Sequence, residues 1–158
     1  MWNQRSIYSR IMIAIHYICV ALYISLKDIR SHRIKRKDIY PAVITLLPIL
    51  EKSSYLYCLV NFLLYYGIFH ISKRSLGFGD VRLAGLLGLY LGGFNGDFSD
   101  LFAMNLYCWL CAGFWTTMKA MYQPERLRER IAFAPFMFLG LAISNIASEL
   151  DEISAILG

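Results

Sequence analysis

Charge is scarce in this chain: only 17% of its 158 residues are Asp, Glu, Lys or Arg, while 58% are hydrophobic. A soluble domain of this length would show alternating or amphipathic patterning, whereas here whole segments lack a polar face. No polar stretch between those segments is long enough for a separate soluble domain, and there is no internal repeat or low-complexity tract. Cysteine is also sparse. Cys19 and Cys58 stand alone among apolar neighbours and read as buried thiols, so no disulfide is argued. Cys108-Trp109-Leu110-Cys111 has metal-ligand spacing but no second ligand pair, and a zinc site needs four ligands, or three and water. No metal and no cofactor are expected. His16 and His70 are isolated and His32 sits among basic residues, so none is read as catalytic.

Apolar segments run at about 9–26, 39–50, 54–72, 80–94, 101–118 and 131–147, which predicts an all-α polytopic membrane protein of about six transmembrane helices. Residues 1–158 then form a single membrane-embedded unit. The first run ends at Lys27-Asp28-Ile29-Arg30 without a small-residue cleavage pattern, so it reads as a retained span rather than a signal peptide. Cations divide by loop. Lys27, Arg30, Arg33, Lys35, Arg36 and Lys37 crowd the first connection, Lys73 and Arg74 the third, and Lys119, Arg126, Arg128 and Arg130 the fifth. The alternate connections hold Lys52 beside Glu51, Asp97 and Asp100, and the tail holds Glu149, Asp151 and Glu152. By the positive-inside rule the basic loops face the cytoplasm, with Arg5 and Arg10 running against the pattern. The net charge of +5, spread over short connections, serves topology and attracts anionic lipid, which argues against a nucleic-acid partner.

Segment 39–50 is short and holds Pro41 and Pro48, so its length also fits a re-entrant or buried piece, but the alternation of basic loops decides in favour of its crossing. Its crossing matters for parity. If it crosses, Asp28 at the end of the first span and Asp80 at the start of the fourth lie on the same cytoplasmic side. If it does not, they lie on opposite sides and no two-aspartate chemistry is available.

Asp80 is the costliest residue in the chain, because a carboxylate at a membrane-helix mouth is a functional hypothesis by default. It follows Gly77-Phe78-Gly79, and glycine permits positive φ or close approach of another chain. The plainer reading is a glycine turn with an Asp capping a helix. Two carboxylates within hydrogen-bonding distance cannot both ionise easily, so one keeps a proton while the other activates water. Asp38, at the start of the second segment, is the rival first acid, or a helix cap. Ala84, Gly88 and Gly92 form a small-residue stripe suited to close helix packing.

Together these residues resemble the type IV prepilin peptidases, membrane aspartic endopeptidases of the Gly-x-Gly-Asp class. Gly77-Phe78-Gly79-Asp80-Val81-Arg82 leads into Gly85, Gly88 and Gly92-Gly93 as that family's motif does. Asp28 fits its first acid, with Ile34 at the spacing of an Ile-Pro-Asn element whose Pro and Asn are here Lys35 and Arg36. Ala132-Phe133-Ala134-Pro135-Phe136 is similar to its Pro-Phe-Gly-Pro stretch, with the first Pro and the Gly replaced by Ala. The likeness runs over about 11–140. It implies a catalytic pair, Asp28 and Asp80, with Gly77 and Gly79 shaping the site. It also implies cleavage of the leader of a type IV prepilin or pseudopilin at the cytoplasmic face of the inner membrane. Bifunctional members carry an extra cytoplasmic region for N-methylation, which the connection 27–38 has no room to hold, so cleavage without methyl transfer is expected. Two other readings stay open at this stage: a small transporter that needs Asp80 without needing Asp28 as an equal partner, and an inactive pilus-assembly factor that needs neither.

Overall fold

The computed structural model describes residues 4–31, 34–72, 76–123, 125 and 131–157. His32, Arg33, Lys73, Arg74, Arg126, Arg128 and Arg130 lie outside these, and the side chains of Arg5 and Glu152 are likewise not described. Among the described residues the elements are α1 (Gln4–Ser31), α2 (Arg36–Leu46) followed by a 3₁₀ turn (Leu47–Ile49), α3 (Lys52–Ile71), α4 (Phe78–Gly93), α5 (Phe98–Tyr122) and α6 (Ala134–Leu157). Helices outrun the apolar segments that mark them. Thus α6 continues through Glu149 and Asp151, which the sequence reading assigned to a tail, because hydropathy marks the apolar part of a helix and not its hydrogen-bonded end.

Helix α4 is the axis of the bundle. Every residue from Leu83 to Gly92 is buried, which is why it is apolar all round and shows no amphipathic stripe. Its most extensive partner is α3, and glycines set that separation. A β-carbon on Gly88 would overlap the Tyr57 carbonyl, one on Gly92 would overlap Ser54, and one on Gly85 would touch Phe62 at 3.6 Å. The expected small-residue stripe is therefore a helix contact. Inside the bundle, Asn105 Nδ2 donates to Asn61 Oδ1 at 3.0 Å and Asn61 Nδ2 donates to the Ala84 carbonyl at 2.8 Å, joining α5, α3 and α4. His16, read as isolated, is bonded at both ring nitrogens, to Tyr90 at 2.7 Å and Thr45 at 2.8 Å. Thr45 already donates to the Pro41 carbonyl, so His16 donates to it through Nε2 and accepts the Tyr90 hydroxyl at Nδ1.

The short second segment runs the length of the bundle. At one end Asp38 meets Lys27 of α1; at the other, Leu50 packs where a β-carbon on Gly93 would stand, 3.0 Å away. Pro48 offers no N–H, so α2 gives way to the 3₁₀ turn there. Arg10 donates to the Phe94 carbonyl at 2.9 Å, a cation at the negative end of α4. Asp97 and Asp100, taken from the sequence as loop charges, exchange hydrogen bonds of 2.9 and 3.0 Å with each other's backbone amides and cap α5.

The outer surface is the apolar one. Ile11, Ile15, Leu22, Leu59, Phe102 and Phe114 are all more than half exposed, whereas Asn61, Ser54 and Ser144 are buried. Two helical stretches, Tyr8–Ser31 and Lys52–Ile71, are long and apolar enough to cross a membrane.

Candidate active site

Asp28 and Asp80 lie at the same end of the bundle, because α1 and α4 are antiparallel: Arg10 meets Phe94 at the far end, and Tyr17 packs edge-on to Tyr90 between. Asp28 belongs to the last turn of α1 and is only 5% exposed. Its Oδ2 accepts the backbone N–H of Ala134, the first residue of α6, at 3.0 Å. Pro135 has no N–H and fits the first turn, so it marks the helix start and leaves the Ala134 amide as a donor at the positive end of α6. The sequence stretch 132–136 thus reaches Asp28 from 106 residues away.

Asp80 is the third residue of α4. Its Oδ2 accepts the Gly77 N–H at 3.1 Å, and its own N–H donates to the Gly77 carbonyl at 3.0 Å. The capping reading of Asp80 is therefore met, and it uses one carboxyl oxygen only. A β-carbon on Gly77 would fall 3.1 Å from Asp80 Oδ2. Gly79 has a different neighbour: a β-carbon there would stand 2.9 Å from both the carbonyl oxygen and Cβ of Ile34. Positive φ, which the sequence allows at these glycines, is not what they supply. Gly77 has φ −73° and no described glycine is left-handed, so close approach is their contribution. Ile34, in the connection after Asp28, is thereby packed onto the turn that carries Asp80.

The antiparallel packing of α1 on α4 thus brings Asp28 and Asp80 to one end of the bundle. Deeper in the bundle the Tyr65 hydroxyl donates to the Cys108 sulfur across 3.8 Å. Each acid has its Oδ2 held by a backbone amide, and among the described hydrogen bonds Oδ1 of each is uncommitted. Asp38 differs. Its Oδ1 pairs with Lys27 and accepts the Tyr23 hydroxyl at 3.3 Å, while its Oδ2 accepts the Lys35 N–H at 3.1 Å. Both oxygens of the rival acid are thus occupied in closing the α1–α2 connection. Among the described residues no group of three or more His, Cys, Asp or Glu is placed to share a metal ion.

The local signals for the Asp80 turn are in the sequence; the Ala134 amide and the Ile34–Gly79 contact are not, since both join segments far apart along the chain. Stretch 132–136 and Ile34 enter the sequence reading only through the family resemblance, which does not say what they touch.

A helical bundle with an apolar core that also buries a few polar side chains, with large apolar residues exposed on its outside and two acids at one end, has the build of a membrane-associated protein. The chain belongs to the type IV leader peptidase family, which matches residues 15–117, a stretch containing Asp28, Gly77, Gly79 and Asp80. Peptidase activity, prepilin-type substrates in general and membrane association are what that membership implies. No curated protein and no solved structure matches the chain.

Proposed function

We propose that this protein is a multi-pass membrane aspartic endopeptidase that removes the leader of a type IV prepilin or pilin-like protein at the cytoplasmic face of the inner membrane, with Asp28 and Asp80 as its catalytic pair. The observation that carries the reading is the pairing itself. Two acids from separate helices lie at one end of the bundle, and each has one oxygen fixed by a backbone amide and one left for chemistry. In the proposed reaction the deprotonated carboxylate takes a proton from water as its oxygen attacks the scissile carbonyl, while the protonated partner donates a hydrogen bond to the carbonyl oxygen. Collapse of the tetrahedral adduct breaks the C–N bond, and the proton gained from water passes to the departing amine.

The multi-pass reading is supported by the apolar exterior, by the two long apolar helices and by the passage of 39–50 between the ends of the bundle. Only residues 32–35 separate α1 from α2, which supports leader cleavage without methyl transfer.

Reconstituted cleavage of a prepilin by wild type, Asp28→Asn and Asp80→Asn tests the pair, with the mass of the product measured. Each variant is expected to lose at least about a hundredfold in rate while keeping its thermal melt. Full activity in either variant overturns the pairing.

A further inference from the structure

On the opposite side of α4 from Asp80 there is an open cleft of about 450 Å³ between α2, α3 and α4. Asp80 and Arg82 are two residues apart, so at ~100° per residue their side chains leave α4 on nearly opposite faces. The cleft is therefore separate from the carboxylate pair. Its floor is apolar, with Val43, Phe62, Leu86 and Leu89, and its charged lining residues are Arg36 and Arg82. Both arginines belong to the first or second turn of their helices, so the positive charge gathers at the end of the groove nearest the basic connections. The Phe78 ring stacks on Arg82, with its centroid 4.5 Å from the guanidinium carbon. That cation–π contact needs no acidic partner, and a guanidinium so placed can still hydrogen-bond an anion. Neither arginine is in an ion pair with an acid among the described residues; the salt bridge there joins Lys27 and Asp38.

We propose that this cleft binds one acidic phospholipid, its phosphate bridged by Arg36 and Arg82 and its acyl chain lying on Val43, Phe62 and Leu89. Charge complementarity selects the occupant. An anionic head joined to an apolar chain matches a groove with two cations at one end and hydrocarbon along the rest, as in basic pockets between membrane helices on the cytoplasmic side. The volume is in the range of small-molecule sites, about 300–1,000 Å³. Arg82 thus recognises lipid and takes no part in the chemistry of Asp80, and the site does not depend on the peptidase reading.

The test is lipid retention by the purified full chain, measured by native mass spectrometry with phosphatidylglycerol and phosphatidylcholine of identical chains. Wild type is expected to keep one phosphatidylglycerol in preference to phosphatidylcholine. Arg36→Gln and Arg82→Gln should each weaken retention about fivefold. Arg82→Lys should keep part of it, and Val43→Trp, which fills the groove, should abolish it with both arginines intact. Asp28→Asn should bind lipid as wild type does, which separates this site from the catalytic proposal. Equal retention of the two lipids, unchanged retention in both glutamine variants, or an equal loss in Lys52→Gln at the far end would overturn the proposal. So would a glutamine variant with normal lipid binding but a raised KM for prepilin, which would make the cleft a substrate subsite.

Discussion

Gly79 lies against Ile34 so closely that a β-carbon on the glycine would stand 2.9 Å from the isoleucine carbonyl oxygen. Ile34, six residues after Asp28, is thereby seated on the turn that carries Asp80. Gly79→Ala should push the Ile34 backbone away and cut prepilin cleavage at least about tenfold, since a misplacement of about 1 Å at a catalytic group can cost a hundredfold. The check is the initial rate of leader removal alongside the thermal melt; a fully active alanine variant would show that the two segments move independently.

Gly88 and Gly113 make a matched pair for stability. A β-carbon on Gly88 would overlap the Tyr57 backbone, whereas one on Gly113 meets nothing within 4 Å. Gly88→Ala should destabilise the protein by about 1–3 kcal/mol through overpacking. Gly113→Ala, on an exposed part of α5, should be neutral or gain roughly 0.5–1 kcal/mol from the lower entropy of the unfolded chain. Unfolding in mixed micelles at graded denaturant reads both.

The Asn105–Asn61–Ala84 chain predicts coupling between α5, α3 and α4. Asn105→Leu strands the Asn61 oxygen and should cost roughly 0.6–2 kcal/mol, the range found for hydrogen bonds between membrane helices. The double variant with Asn61→Leu should lose less than the sum of the two single changes, because it removes both polar partners together. Strict additivity in a double-mutant cycle would mean that the two amides act separately.

Asp38 carries a pH prediction. Burial alone pushes its carboxyl up, but hydrogen bonds from Lys27, the Lys35 amide and Tyr23, together with the Lys27 charge, bring it below the ordinary carboxylate value. A carboxyl depressed on folding contributes stability that is present above its unfolded pKa and is lost as pH falls through the folded one. The melting temperature of wild type should therefore fall below about pH 4 more steeply than that of Asp38→Asn, while the variant, though less stable at neutral pH, keeps cleaving prepilin. Loss of cleavage without loss of stability in Asp38→Asn would restore it as the first acid.

Much of this protein was legible before any fold was known, and for local reasons. Apolar runs too long and too uniform for a soluble domain locate five of the helices within several residues, and the turn Gly77–Phe78–Gly79–Asp80 declares its acid, since neither signal depends on a distant partner. Segment 39–50 is short enough to be re-entrant and only loop charge favours its crossing; Pro41 lies within α2, and the packing of Asp38 on Lys27 and of Leu50 beside Gly93 puts its two ends at opposite ends of α4. Likewise the family resemblance favours Asp28 over Asp38 through the spacing to Ile34, but gives no physical reason for the choice. The two differ because α6 brings the Ala134 amide to one oxygen of Asp28, whereas Lys27, Tyr23 and Lys35 occupy both oxygens of Asp38. Helices and turns follow from the short-range chemistry of the chain; which carboxylate keeps a free oxygen beside Asp80 was decided by tertiary structure alone, because the amide that holds it comes from a helix that begins 106 residues further along.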